Sequence, residues 1–335
     1  MTKVGINGLG RIGKAILTLA LESPATHHRE LDIRAINCNL SPTDLQNYLN
    51  SDSVHGRNNI VVETLDASRV RIGKHHPNHY VYHTVELLND RDPTKLAWRE
   101  NEVDVVIEAT GNKNNAPLHD VDLVVISAPA GGVVPTFCYG VNEAAWSGER
   151  VISGASCTTN SLAPLLHLVS EAWTIAHVNF LTVHAATQSQ SVLDRAGVQR
   201  NQRSVINNII PSRTGASESI TQLLPSLLGK VSGSSVRVPT SNVSMLEVNI
   251  RCDGPVCIED VIHKAREHRL YGEVFEVEEA ELVSSDFCGR TAPCIIDRAA
   301  SIQTAPNEIK VVMWYDNEYS YSAQTLRLVA GLATN

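Results

Sequence analysis

The chain has no Cys-x-x-Cys pair. Its seven cysteines are Cys38, Cys138, Cys157, Cys252, Cys257, Cys288 and Cys294. An odd number without paired spacing argues against a disulfide framework and against a zinc site, so no metal is expected and a reducing cytoplasm is the expected compartment. No basic run stands out in a chain of net charge −8 and pI about 5.9, which argues against nucleic acid as a partner. No apolar stretch approaches the roughly 18 residues of a membrane span, so no membrane partner is expected. The start, Met1-Thr2-Lys3-Val4-Gly5-Ile6, runs straight into a strand and leaves no expected room for a signal peptide. Neither a low-complexity linker nor a repeat at solenoid period interrupts the 335 residues. That length accommodates two domains with full cores, and 43% hydrophobic with 19% charged residues fits an ordinary globular protein.

The most informative segment present is Ser156-Cys157-Thr158-Thr159-Asn160. It directly precedes the apolar-periodic run Leu162, Leu165, Leu166 and Val169, which reads as a helix starting at or just after the cysteine. Free N–H groups and the positive end of the helix dipole then lie near the sulfur and favour the thiolate, the nucleophilic form. A cysteine in such a place is also, more blandly, a small buried hydrophobe. The surrounding sequence has to decide between the two.

The N-terminal half reads as a dinucleotide-binding unit. Lys3-Val4-Gly5-Ile6-Asn7 is a short strand, Gly8-Leu9-Gly10-Arg11-Ile12-Gly13 a glycine turn, and Lys14 to Leu21 a helix. The first glycine permits the turn, the second lets the backbone approach a pyrophosphate, and the third lets helix pack on strand. Leu31–Asn37, Val103–Ala109 and Leu123–Ser127 are further apolar strands suited to a parallel sheet buried on both faces. Their C-terminal ends would face a ligand crevice, making Thr110, Gly111, Ser127 and Ala128 candidate cofactor neighbours beside ordinary strand-ending turns. The second strand ends Ile36-Asn37-Cys38-Asn39-Leu40, with no carboxylate for an adenosine ribose. Without one, with Cys38 at that strand end, rejection of a ribose 2′-phosphate should weaken, so NAD and NADP both stay open as the cofactor.

The second half carries the candidate chemistry. Leu181-Thr182-Val183-His184 reads as a strand ending in histidine, and a thiolate needs a neighbouring base. Thr187, Arg200, Arg203, Thr214-Gly215 and Arg237 stand at segment ends and read as loop positions suited to phosphate, or as ordinary surface residues. Val243–Ile250 and Lys310–Tyr315 look like strands of an antiparallel sheet with one covered face, and Tyr321–Ala333 like a helix returning to the first domain. The expected fold is α/β, an N-terminal Rossmann-type parallel sheet plus an α+β catalytic domain with a mostly antiparallel sheet. The expected domains are 1–155, completed by a C-terminal helix at 317–335, and 156–316.

These residues together resemble the glyceraldehyde-3-phosphate dehydrogenase family, with erythrose-4-phosphate dehydrogenases as close kin. The carriers run from Val4 to the C-terminus: Ile6-Asn7-Gly8-Leu9-Gly10-Arg11-Ile12-Gly13, Asp52-Ser53-Val54-His55-Gly56, Ala155-Ser156-Cys157-Thr158-Thr159-Asn160, Ile209-Ile210-Pro211, Arg237-Val238-Pro239-Thr240 and Trp314-Tyr315-Asp316-Asn317-Glu318. The 27-residue interval from Cys157 to His184 also looks like the family's nucleophile-to-base spacing. The resemblance implies that Cys157 attacks an aldehyde, that His184 is general base, and that a thioester is released by inorganic phosphate or water. It implies a phosphorylated aldehyde as substrate and a homotetramer. Asn317 matches the position that holds the nicotinamide carboxamide. Asn7, Gly8, Gly10, Arg11, Ile12, Gly13, Asn37, Cys38, Arg91, Thr110, Gly111, Ser127 and Tyr321 complete the implied cofactor set. Thr187 and Arg237 match positions for the substrate's phosphate, and Ser156, Thr158, Thr214 and Gly215 those for the attacking phosphate.

Departures accompany the likeness. In Gln199-Arg200-Asn201-Gln202-Arg203, Asn201 takes the place of the second arginine of a usual pair, so phosphorolysis is expected to be weak unless Arg200 or Arg203 substitutes. Cys38 replaces the usual acidic residue. The stretch Ala185-Ala186-Thr187-Gln188-Ser189-Gln190 and the connection Gly111 to Leu123 also differ from the family pattern. Three readings follow in order: phosphorylating oxidation of glyceraldehyde 3-phosphate, oxidation of erythrose 4-phosphate with water as acceptor, and a divergent nucleotide-binding paralogue with little activity.

Overall fold

Strand and helix alternate from the first residues because apolar β-branched runs are punctuated by glycine and proline. The computed structural model describes residues 1–22, 31–132 and 134–332. These residues divide into two compact units: the described part of 1–155 with the chain from Ser322 onward, and Ser156–Tyr321.

In the first unit, β1 (Thr2–Asn7) leads through the glycine turn into α1 (Arg11–Ala20), then β2 (Leu31–Asn37) and α2 (Pro42–Asn50). Ser41 caps α2 by accepting the Asp44 backbone N–H, and Pro42 opens the helix where its missing N–H costs nothing. A two-stranded ribbon, β3 (Ser51–Asp52) with β4 (Gly56–Arg57), precedes three strands that periodicity did not bring out: β5 (Ile60–Thr64), β6 (Arg69–His76) and β7 (His79–Leu88). Then come β8 (Val105–Glu108), β9 (Leu123–Ile126) and β10 (Val151–Ser153). The sheet order is β10-β9-β8-β1-β2-β7-β6-β5. From β10 to β7 all pairings are parallel; β6 and β5 join antiparallel. Every residue of β8 and β9 is buried, as a parallel sheet covered on both faces requires. The order of β1 between β2 and β8 makes β1 the switch point at which such sheets bind ligands.

The second unit starts with α3 (Cys157–Ser170), β11 (Ile175–Ala185), β12 (Ile210–Ser212), α4 (Ala216–Leu223), β13 (Val231–Val238) and β14 (Ser244–Cys252). It continues with α5 (Ile258–Glu267), β15 (Phe275–Glu278), β16 (Cys294–Ala305) and β17 (Glu308–Tyr315). Its sheet order is β12-β13-β11-β14-β17-β16-β15. Only β11–β13 and β15–β16 pair in parallel, so the sheet is mostly antiparallel. Along β14 buried and half-exposed residues alternate, so one face is covered. The last helix, α6 (Tyr319–Leu332), carries the chain from the second unit back into the first, where Gln324 donates to the Tyr139 carbonyl at 3.1 Å. The sequence reading ran this helix to Ala333 or beyond, and those last residues lie outside the described ones.

Candidate active site and cofactor crevice

In the second unit, Ser156 takes an extended backbone and caps α3, its Oγ accepting the Thr159 N–H at 3.0 Å. That places Cys157 at the first helical position. Its own N–H and that of Thr158 point toward the sulfur. The preceding Ala155 is buried in a left-handed conformation (φ 59°), an unusual turn for a residue with a Cβ. Cys157 Sγ lies 3.3 Å from His184 Nε2. His184 is 4% exposed and sits one residue before the end of β11. With its proton on Nδ1, the ring donates to the Ala185 carbonyl at 2.7 Å and leaves Nε2 as an acceptor toward the sulfur.

Register in the parallel pair β11–β13 sets Arg237 directly beside His184. Arg237 therefore belongs to a strand, not to a loop as the sequence reading had it. Its Nη1 lies 2.6 Å from His184 Nδ1 and donates to the Ala185 carbonyl at 3.1 Å. Burial first, and then the Arg237 charge, push His184 down to about 4. Burial also raises the Cys157 thiol, against the smaller opposing effects of Arg237 and the helix-start N–H groups. Desolvation at the Cys157 sulfur thus works against the helix-start N–H groups that favour the thiolate.

Tyr315, which pattern reading did not single out, ties this site together. Its hydroxyl meets Thr158 Oγ1 at 3.0 Å and Thr182 Oγ1 at 2.9 Å, and its ring stands edge-on to His184. Asn317 Oδ1 accepts from Ser244 Oγ at 2.9 Å. Tyr321 is buried within α6. Of the positions matched to phosphate, Ser156 is occupied in capping and Thr158 with Tyr315. Thr187 is exposed and donates to Gln190 Oε1 at 3.1 Å. Thr214 Oγ1 accepts the Ala216 N–H, and Gly215 is the residue before α4. Arg203 is paired with Asp194 at 2.9 Å, whereas Arg200 and Asn201 line a cleft of about 950 Å³ together with Arg213. Arg213 was missed because nothing local distinguishes it; its neighbours in that cleft arrive through β12 and β13.

In the first unit, a crevice of about 720 Å³ is lined by Asn7, Gly8, Gly10, Asn37, Cys38, Arg91 and Thr110, among others. Gly8 has φ +97°, and a Cβ on Gly13 would come 2.0 Å from the Gly8 carbonyl, so the turn and the helix–strand approach both demand glycine. Around Gly10 nothing lies within 4 Å of a notional Cβ, and no side chain caps α1, which leaves open backbone at a helix start, the arrangement that suits a pyrophosphate. Arg11 is turned onto Asp52 at 2.6 Å, and Lys14 joins the same carboxylate at 2.8 Å. These contacts hold the Asp52 carboxyl well below the usual range despite its burial. Ile12 and Gly13 continue into α1. Gly111 is left-handed at φ +82°, and Ser127 Oγ donates to the Glu108 carbonyl at 2.9 Å.

Beneath the crevice, strand ends are joined by a buried polar chain that pattern reading did not show. Asn37 donates to Asn7 Oδ1 (2.8 Å), Asn7 to Glu108 Oε2 (2.6 Å), and Trp98 Nε1 to His119 Nδ1 (3.0 Å). That last bond places the His119 proton on Nε2, which donates to Glu108 at 3.0 Å. Asp90 supplies a carboxylate-bearing residue to the crevice lining. It arrives there because β7 runs parallel to β2, and its N–H donates to Asn37 Oδ1 at 3.1 Å. Burial raises the Cys38 thiol, so Cys38 contributes no charge there.

The two units thus have the form of a nucleotide-binding dehydrogenase: a doubly wound sheet with a glycine turn, and a separate sheet domain bearing a paired cysteine and histidine. Residues 2–116 match the glyceraldehyde 3-phosphate dehydrogenase NAD binding domain, and residues 156–317 match the C-terminal domain of the same family. The chain is 37% identical to glyceraldehyde-3-phosphate dehydrogenase 2 of Kluyveromyces marxianus, over the full length of both. It is 36% identical to the glyceraldehyde-3-phosphate dehydrogenase of Shimwellia blattae, over 99% of each chain. It is also 36% identical to a cytosolic one of Leishmania mexicana, over 98% of each. The chain belongs to the glyceraldehyde 3-phosphate dehydrogenase family of NAD-dependent aldehyde oxidoreductases. No helix among the described residues is long and apolar enough to cross a membrane.

Proposed function

We propose that this chain oxidises a phosphorylated aldose aldehyde, glyceraldehyde 3-phosphate first, through covalent catalysis at Cys157. The observation that carries the proposal is the 3.3 Å contact between Cys157 Sγ and His184 Nε2 at the start of α3. His184 takes the thiol proton as sulfur attacks the aldehyde carbon, forming a thiohemiacetal. The Cys157 N–H stabilises the oxygen as it gains charge. NAD, when bound, supplies the hydride acceptor whose use leaves a thioester on Cys157. His184, now protonated, is placed to return a proton during release by the attacking phosphate.

In this reading Asn7, Gly8, Gly10, Gly13, Asn37, Arg91, Thr110, Gly111 and Ser127 hold the dinucleotide, with Arg11 acting through Asp52 and Ile12 through α1. Asn317 and Tyr321 serve the nicotinamide end. The domains run from 1 to 155, with the C-terminal helix, and from 156 to 316. Neutral Cys38 weakens rejection of a ribose 2′-phosphate, while Asp90 in the same crevice lining opposes that phosphate, so NAD is the preferred acceptor. Thr187 and Arg237 take the substrate phosphate; Thr214, Gly215, Ser156 and Thr158 flank the attacking one. Arg200, not Arg203, replaces the guanidinium lost at Asn201, because Arg203 is engaged with Asp194. The homotetramer belongs with this reading, and exposed Val192, Leu193, Val198 and Ile209 support an assembly surface.

A second reading is oxidation of erythrose 4-phosphate with water as acceptor. Asn201 favours it: its Oδ1 is buried without a hydrogen bond, so it presents no arginine-like fork. Initial rates of NAD reduction on glyceraldehyde 3-phosphate, with and without inorganic phosphate, separate the two. Strong phosphate-dependent turnover supports the first reading. Negligible turnover under both conditions overturns it in favour of erythrose 4-phosphate, and failure on both aldehydes leaves the paralogue with little activity.

A further inference from the structure

His75, His76, His79 and His83 crowd one hairpin of the first unit, and neither the glycine cradle nor the cysteine–histidine pair uses them. The turn Pro77-Asn78 joins β6 to β7 between them. Strand alternation divides the four between two faces. His75 stands opposite Tyr80 and stacks on its ring, centroids 4.3 Å apart. His76 stands opposite His79 on the other face, which also carries Ile72, Lys74 and His83.

That other face meets the end of α1. His83 has both ring nitrogens committed: Nδ1 accepts the Ile33 N–H at 3.3 Å, and Nε2 faces the Ala20 carbonyl at 3.3 Å. His76 differs. Its Nε2 lies 2.9 Å from the Leu21 carbonyl. A carbonyl only accepts, so the proton is on Nε2 and Nδ1 keeps its lone pair. No group among the described residues donates to that Nδ1. A carbonyl placed this way is the usual outer support of a metal-bound imidazole. Lys74, two residues earlier on the same face, is paired with Glu22, so its charge is compensated.

The His79 ring lies 4.7 Å from that of His76, at an interplanar angle of 11°. Parallel rings do not aim two lone pairs at one point. His79 is exposed, however, and no hydrogen bond among the described residues holds its ring. Its terminal torsion is broad, so a turn of the ring costs little and swings a nitrogen toward His76. Both imidazoles then reach one ion at bonds of about 2.0–2.1 Å.

We propose that His76 and His79 form a two-imidazole site for a divalent late first-row transition ion, of the class of Ni(II), Cu(II) and Zn(II), with water in its remaining positions. Imidazole donors without a carboxylate select such ions over magnesium or calcium. No third ligand group converges on the pair among the described residues, so the site is open and the ion exchangeable. The bound ion ties β6 to β7 across their turn and, through His76, to the end of α1. None of this depends on the chemistry of Cys157.

Ni(II) is the probe, because Cu(II) oxidises thiols and Zn(II) is drawn to thiolates. Calorimetric titration of the full chain at neutral pH is expected to show a single Ni(II) bound here, and Cys157→Ser to retain it. His76→Asn and His79→Asn are each expected to weaken binding at least about tenfold. His75→Asn, on the opposite face, leaves it unchanged. Ni(II) raises the Tm of the unaltered chain but not that of His79→Asn, a replacement at an exposed position that leaves the contact with α1 in place. Loss of binding in Cys157→Ser puts the ion on sulfur and overturns the site. Equal weakening by His75→Asn reveals an adventitious histidine surface and overturns it too, as does Ni(II) binding that is indifferent to His79→Asn or absent altogether.

Discussion

Two buried histidines, one in each unit, are held by opposite neighbours. His119 in the first unit, 1% exposed, has a fixed tautomer: the Trp98 indole donates to Nδ1, and Nε2–H donates to the Glu108 carboxylate. Both ring nitrogens are committed to partners that do not change. His184 in the second unit has a guanidinium against one nitrogen and a thiol against the other. Its proton has more than one place to be. Burial alone does not make a histidine chemical; a neighbour set that leaves the proton's position open does.

Removing the reactive partner should break this contrast most severely. Cys157→Ser is expected to lower turnover by about 10⁴-fold, and His184→Asn by about 10²- to 10⁴-fold, in steady-state rates of NAD reduction. Retention of near-normal turnover by either variant would remove the residue it replaces from the chemistry. Disturbing the other histidine should act on folding instead. Glu108 accepts from Asn7 and His119 on one oxygen and from the Thr110 N–H on the other. Glu108→Gln turns one of those acceptors into a donor facing donors. A loss of about 2–4 kcal/mol in denaturant unfolding is expected, with Cys157 alkylation little altered. A stability loss below about 0.5 kcal/mol would show the chain of polar groups to be ornamental.

The acid limb of stability sharpens the comparison further. His184 is held at about 4 against an ordinary value of 6.5, so between those values the unfolded chain binds more protons than the folded one. The stabilisation from a neutral His184 is complete above about 6.5 and is lost as pH falls toward 4. His184→Asn should flatten that limb of the unfolding curve, and an unchanged slope would contradict the depressed value. The smallest effect is expected at the cap: Ser156→Ala should cost about 1 kcal/mol by thermal or denaturant unfolding, since the Thr159 N–H loses its acceptor. Comparing its cost with that of Asp44's partner Ser41→Ala, a cap in the first unit, tests whether the nucleophile's helix is held more tightly than an ordinary one.

Features carried by neighbouring residues were legible in the chain itself. The glycine turn after β1, the helix beginning at Cys157 with Ser156 as its cap, and the buried strands β8 and β9 all follow from local sterics, capping and apolar runs. The family likeness rested on such local segments spread along the whole length. Strands β5 to β7 escaped pattern reading because their burial alternates irregularly, and α6 begins two residues before the tyrosine from which its periodicity was read. By itself, then, the sequence determined the glycine cradle, the nucleophile's place at a helix start and the two-sheet architecture, since each depends on residues close together in the chain. Tertiary structure alone decided that Arg237, 53 residues from His184, stands against its imidazole, that Glu108 is shared by Asn7 and His119, and that burial raises the Cys157 thiol. Those outcomes depend on strand register and on how much water the packed chain excludes, and neither is a property of any short stretch of residues.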